Sequence, residues 1–234
     1  MELPDLRERG RGPDGPIFGE DRLFVQLLRW TGCLDPAPVI DAVRDLGEPA
    51  AVYADLQDPR GVAVLGMSED PEFFVTAFRD LARSGPFRDL IPLPRLTQFG
   101  RTYSLGHEGD LRHWLVTRPA EKMLDPANRW AVWYPLRRTG AFAALPAEEQ
   151  AAILREHGHL GMAYGAANLA QDIRLACFGL DRDDNDFVIG LLGHDLHPLS
   201  RVVQAMRATR QTREYLDSLG PFFVGRVIHQ TEVP

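Results

Sequence analysis

Apolar positions along the chain switch between two periods, and the switches outline two similar halves. Arg22 to Trp30 (RLFVQLLRW) is short, apolar and closed by Thr31-Gly32, a strand pattern. Asp35-Pro36 offer a helix start and Gly47 a stop, which predicts a short helix over 38–46. Ala51 to Leu56 reads as a strand, the turn Asp58 to Gly61 follows, and a second strand covers 62–67. Asp70-Pro71 opens a predicted helix over 72–82 with Phe74, Ala77, Phe78 and Leu81 on one face. A strand around 101–105 completes the order β-α-β-β-α-β. The second half repeats it. Trp130 to Pro135 reads as a strand, and Ala147 to His157 as a helix entered through Pro146, with Glu148 and Glu149 at its positive end. A strand over 172–178, a polar turn over 179–186, a strand over 187–192, a long helix over 198–218 and a strand over 222–228 follow.

The two halves also align locally. SEDPEFFVTAFRDLARS (68–84) lies over GHDLHPLSRVVQAMRAT (193–209), with Asp70 on Asp195, Phe74 on Leu199, Ala77 on Val202 and Leu81 on Met206. The shared strand-turn-strand-helix context makes duplication the better reading. Each β-α-β-β-α-β unit gives an antiparallel sheet with helices on one face. Packing sheet on sheet buries the other faces. The expected fold is therefore α+β, of the dimeric α/β-barrel type, with two ferredoxin-like halves in one chain. Residues 1–18 are expected as a flexible N-terminal arm, loose or wrapping, 20–115 as the first half and 127–232 as the second.

Composition narrows the function classes. At 44% hydrophobic and 25% charged residues, the 234-residue chain has an ordinary globular balance. A net charge of −7 argues against a nucleic-acid backbone as partner. The sequence has no apolar run of about 20 residues for a membrane span, and its first residues lack an apolar signal core. A cytoplasmic protein with free thiols at Cys33 and Cys177 is expected.

The informative segment is 133–164. A strand ends in Tyr134-Pro135 and is followed by Arg137 and Arg138. A helix then delivers His157 at its C-terminal end, on one face with Ile153, Leu154 and Leu160. A histidine there is usually a core residue or a partner of the helix dipole. Gly158 and Gly161 weaken that reading, because they let a bulky planar group approach the backbone. A rival metal site could use His157, His159, His194 and His197, but their spacing matches no strong ligand pattern. The tryptophans at 30, 114, 130 and 133 read as core or interface residues.

Together these segments resemble the chlorite dismutase superfamily, and within it the coproheme decarboxylases, peroxide-dependent enzymes of a bacterial haem biosynthesis route. Tyr134-Pro135-Leu136-Arg137-Arg138 matches the signature Tyr-Pro-(Met/Phe)-x-(Lys/Arg). LPAEEQAAILREHG is similar to the segment that leads to the family's axial histidine, and Tyr164 stands seven residues after it. GLDRDDNDFV and GPFFVGRV are similar to the family's later turn and ending. The resemblance is specific over about 133–228 and architectural over 20–115. It implies a haem-binding oxidoreductase with an iron porphyrin as cofactor, either coproheme (which is also the substrate) or haem b, and hydrogen peroxide as partner. His157 would be the axial iron ligand, with Gln211 placed as acceptor for its other ring nitrogen. Tyr134 would be the catalytic tyrosine, oxidised to a radical that takes a hydrogen atom from a propionate β-carbon. Arg138 would pair a propionate.

Other positions stay open. Arg118, Arg129, Arg137, Tyr103 and Ser104 are candidates for the remaining propionates. Asp172, Gln171 and Arg174 compete for the distal place, with His107 and His113 as alternatives from an earlier strand. By strand alternation Asp172 and Arg174 share a face and Gln171 points away. A chlorite-decomposing or peroxidase-like haem enzyme is the alternative activity, and a non-catalytic haem- or ligand-binding module a further one. The resemblance also implies a homo-oligomer, a pentamer in most relatives.

Overall fold

A computed structural model describes residues 3–232. Ten of its strands form one antiparallel sheet that closes on itself, and the other two form a separate hairpin. The first half contributes β3 (Phe24–Thr31), α1 (Ala37–Asp45), β4 (Ala50–Asp55), β5 (Val62–Ser68), α2 (Ala77–Leu81) and β7 (Gln98–Arg101). A short strand β6 (Ile91–Pro92) pairs with the end of β3. The second half contributes β8 (Trp130–Arg138), α5 (Ala147–Ala166), β9 (Gln171–Ala176), β10 (Phe187–Gly193), α6 (Leu196–Met206) and β12 (Phe223–Gln230). Both halves thus have the expected β-α-β-β-α-β order. The strand order is β10-β9-β7-β3-β5-β4-β12-β8, and β8 pairs again with β10. The halves are joined where β9 meets β7 and where β12 meets β4.

Strand alternation sorts the core into an inside and two outsides. Val25, Leu27, Tyr53, Leu65, Trp133, Ile173, Leu175 and Phe223 fill the barrel. Val39, Val43, Phe73, Phe74 and Phe78 cover the outer face of the first half. Val132, Tyr134, Leu136, Phe187, Leu191, Leu199 and Val202 form the layer under α5 and α6 of the second. The proposed duplication appears in the caps. Asp70 and Asp195 both stand, with extended backbone, immediately before a helical turn, and Phe74 and Leu199 are both buried.

Several elements differ from their predicted limits. Over residues 8–19 the N-terminal arm is a hairpin of β1 (Glu8–Gly12) and β2 (Gly15–Gly19) that wraps the barrel rather than hanging loose. Glu8 holds Arg101 at 2.9 Å, and Arg11 N–H donates to the Glu108 carbonyl at 2.9 Å. The helix predicted over 72–82 breaks at Thr76, whose hydroxyl donates to the Glu72 carbonyl at 2.7 Å. The strand expected around 101–105 lies earlier, at 98–101. A wide helical turn, His113–Thr117, leads into α3 (Arg118–Leu124) between the halves. The helix expected over 198–218 is α6, then α7 (Arg210–Tyr215), then a strand β11 (Leu216–Leu219) on β8, with a one-turn helix α4 (Gly140–Ala143) packed nearby. Finally, α5 runs to Ala166, through Gly158 and Gly161, so His157 sits mid-helix and not at its end.

Candidate functional site

The outer face of the second half gathers several of the residues singled out above, His157, Tyr134, Arg138, Asp172 and Arg174. The register aligns Leu136 with Phe187 and Ala176, Tyr134 with Ile189 and Arg174, and Val132 with Leu191 and Asp172. Residues directly opposite in neighbouring strands share a face, so Tyr134, Arg174 and Asp172 project to the same side as Arg138. Helix α5 lies over this side, with Ile153, His157, Leu160 and Tyr164 along one of its flanks.

His157 is half-buried, and its Nδ1 lies 3.1 Å from Thr209 Oγ1. The Thr209 hydroxyl donates to the Met206 carbonyl at 2.7 Å, so its oxygen is left to accept. Nδ1 therefore carries the proton and Nε2 presents a lone pair. Thr209 stands at the N-cap of α7 but makes no cap hydrogen bond, so its oxygen is free to serve the histidine. Burial holds the ring's pKa below its ordinary 6.5, and the nearby Arg138 guanidinium lowers it further. Gln211, the expected acceptor, is buried in α7 with an unpartnered side-chain oxygen, and Thr209 takes the role assigned to it.

This arrangement fixes a sign for the pH dependence. The unfolded chain takes up a proton on His157 near pH 6.5, before the folded protein does. The site's contribution to stability is thus present above 6.5, falls as the pH drops below it, and levels off under the lower folded value. Nitrogen-resolved spectra of the histidines should show the Nδ1–H tautomer for His157 at pH 7 and a midpoint below 6.5. An Nε2–H form there would contradict the Thr209 assignment.

Tyr134 is buried, and its ring stacks on Phe222 with centroids 4.6 Å apart. Burial, with Asp172 nearby, pushes its hydroxyl well above the ordinary phenol range, so it stays protonated. Arg138 lies between Phe142 and Phe187, at 4.8 Å and 4.7 Å from their ring centroids. Its backbone N–H donates to Asp186 at 2.7 Å. Its guanidinium has no carboxylate at ion-pair distance among the described residues, and its Nε is buried without a partner. Desolvation lowers its pKa. Tyr103 packs on Phe187 at 5.5 Å, and burial raises its hydroxyl as well.

Other candidates are placed elsewhere or already engaged. Gln171 points away from this face, as alternation predicts, and its amide donates to Asn168 Oδ1 at 3.0 Å. Arg129 precedes β8 at the end opposite Arg138, with its guanidinium 3.3 Å from His194 Nε2. Arg137 is held by Asp217 at 2.7 Å, and the Ser104 hydroxyl donates to the Arg9 carbonyl at 2.6 Å. His107, His113, His159, His194 and His197 are exposed. No group of three or more His, Cys, Asp or Glu side chains among the described residues could hold a metal ion, so the rival histidine cluster does not assemble. Sequence reasoning missed Thr209. Its position before an apolar-to-polar helix start was a cap signal, but nothing nearby pointed to a histidine 52 residues away.

Comparison with known proteins extends these observations. The family described as chlorite dismutase matches residues 95–228. Among solved structures, a haem-binding protein of Thermus thermophilus superposes with a TM-score of 0.70 at 18% identity, over 98% of this chain and 96% of that one. The chlorite dismutase of Candidatus Nitrospira defluvii in complex with imidazole gives a TM-score of 0.64 at 14% identity, over 89% of this chain and 92% of that one. At such identities the superpositions speak for the shared fold. The sequence match covers more than half of the chain, from the end of the first half through nearly all of the second, and by it this protein belongs to the chlorite dismutase family.

Proposed function

We propose that the second half, 127–232, binds an iron porphyrin and that the protein is a haem-dependent oxidoreductase. Its first assigned activity is peroxide-dependent oxidative decarboxylation of coproheme to haem b. The observation that carries this reading is the orientation of His157: Nδ1–H donates to the Thr209 hydroxyl oxygen and leaves the Nε2 lone pair, which makes no hydrogen bond among the described residues. A neutral imidazole with its outer nitrogen engaged is the donor an iron centre takes. Across from it stand a protonated phenol and a guanidinium with no carboxylate of its own, which suit a propionate edge.

A cleft lined by Tyr103, Trp114, Arg118, Asp172 and Arg174 among others has about 30 Å³ of free interior, room for a water molecule, and neither His157, Tyr134 nor Arg138 lines it, so a porphyrin beside His157 needs α5 to move. Helix α5 has 20 residues yet only Ile153 is buried, while Leu154 and Met162 are exposed. An element with so few buried contacts opens at little cost.

When bound, the iron porphyrin supplies the reaction with peroxide and the oxidising equivalents. His157 would anchor the metal and Arg138 would pair one propionate, while the burial of Tyr134 keeps water from its phenol. Tyr134, once oxidised, accepts a hydrogen atom from the propionate β-carbon. Loss of the carboxylate as carbon dioxide, with one further electron passing to the oxidant, leaves a vinyl group. Incubation with coproheme and peroxide should give a stepwise mass loss of two carboxyl groups, and an unchanged mass would refute this assignment.

One observation favours a second reading. Arg174 shares the register row of Tyr134, where a distal arginine could retain an anionic intermediate in chlorite decomposition. Asp172 engages it at 3.1 Å, so little oxygen is expected when chlorite is added to the haem b form. Vigorous oxygen release would promote the chlorite activity to first place.

A further inference from the structure

Strand β9 and the start of α3 bring the guanidiniums of Arg174 and Arg118 into one cleft, and Asp172 lies between them. Its Oδ2 is 3.1 Å from Arg174 Nε, and its Oδ1 is 3.7 Å from Arg118 Nη2. Arg118 also donates from Nη1 to the Asp172 carbonyl at 3.4 Å. The Trp114 ring backs the Arg118 guanidinium at 5.2 Å. These groups line one cleft together with Tyr103. By contrast Arg138, on the same face of the sheet as Asp172, has no carboxylate partner among the described residues.

We infer that Asp172 is a resident counter-anion, occupying in the free protein the place that a carboxylate of the bound porphyrin takes. Its carboxylate touches both cations of the cleft, the position an incoming acid would need. The Asp172 side chain is 42% exposed and Arg118 is 21% exposed. A pair of this kind is weakly held and screened by salt, so a ligand carboxylate can replace it. Replacement brings in like charge beside Asp172, and the aspartate must turn away. Asp172 thus acts as a specificity residue. A ligand with carboxylates at one edge only is served by Arg138, while a ligand with carboxylates at opposite edges must also displace Asp172 from Arg118 and Arg174. This inference rests on the porphyrin reading above and adds what the second edge of the site selects.

The test uses metal-free porphyrins, so that iron ligation does not enter. The full-length protein is titrated with coproporphyrin, which has four carboxylates, and with protoporphyrin, which has two, following porphyrin fluorescence. For Asp172→Asn, affinity for coproporphyrin should rise about threefold to tenfold at low salt and the gain should shrink at high salt. Affinity for protoporphyrin should change less. Asp172→Ala should behave alike, because the effect is removal of charge and not creation of an amide. Arg118→Gln should weaken coproporphyrin binding. Thermal midpoints of the variants check that folding is intact. Wild-type binding with an unchanged or weaker affinity in both Asp172 variants would overturn the counter-anion role alone. Failure of the wild-type protein to bind either porphyrin or ferric coproheme would overturn the underlying reading, and the counter-anion role with it.

Discussion

His157→Ala is expected to lower affinity for ferric coproheme by more than about a hundredfold and to move its Soret band, while metal-free coproporphyrin binds nearly as before. The floor on the effect comes from comparison with weaker changes. Loss of a group that merely orients a metal-bound histidine costs about 10- to 100-fold in metal affinity, so loss of the ligand itself costs more. Thr209→Val, which removes only the acceptor for Nδ1–H, falls in that smaller range. The metal-free ligand separates the two contributions, because Arg138 and the cleft arginines act on carboxylates whether or not iron is present. Equal weakening for both porphyrins would mean that His157 packs the helix and does not hold a metal. Folding should survive the change, since the ring is half-buried and α5 owes its one fully buried contact to Ile153.

The strands, and which of the candidate residues share a face, were legible because their signals are local. The strand Trp130–Arg138 is apolar nearly throughout, as its covered position requires, and it carries Tyr134 and Arg138 at an even spacing that puts both on one face. The separation of Gln171 from Asp172 and Arg174 follows from the same alternation. Helix limits were less legible. Gly158 and Gly161 read as a stop, yet each costs a helix only about 1 kcal/mol. The surrounding Ala, Leu and Met residues carry α5 through both. The break between α6 and α7 had the opposite problem. Ala205 to Gln211 suits a continuous helix, but Thr209 takes an extended backbone, φ −68° and ψ 151°, that starts a new turn. That break swings Thr209 onto His157.

What could not be read locally is pairing between distant segments. Arg129 and Arg138 look alike in sequence, and only the strand's direction puts the first beside His194 and the second between Phe142 and Phe187. Arg118 and Asp172 meet across 54 positions because the segment between the halves packs along the outer edge of β9. Such contacts are set by barrel closure, in which β7 and β9 come together at Arg101 and Ala176. Gly100 permits that meeting, since a Cβ there would come within 2.9 Å of the Ala176 carbonyl, but a lone glycine does not name its distant partner.

Tyr134→Phe carries the second large expectation: coproheme binding within about twofold of wild type, and decarboxylation slowed by at least about a hundredfold, on the order of 3 kcal/mol added to the barrier. Binding should persist because the phenyl ring keeps the stacking on Phe222 and the fit against Ile189. The hydroxyl makes no hydrogen bond with another described residue, so its removal leaves no stranded partner. Chemistry should fail because phenylalanine has no O–H bond to lose and therefore cannot accept a hydrogen atom from the propionate. The upward shift of the hydroxyl's pKa bears on the same step. A phenol kept neutral by burial gives up its electron only together with its proton, so the rate should not rise on raising the pH from 7 to 9, as it would for a tyrosinate. Mass analysis of the porphyrin after single additions of peroxide distinguishes the outcomes. A variant that binds coproheme, consumes peroxide and leaves all carboxylates in place supports the assignment. Turnover at the wild-type rate would remove Tyr134 from the reaction and leave Tyr103, a half-buried phenol packed on Phe187, as the next group to test.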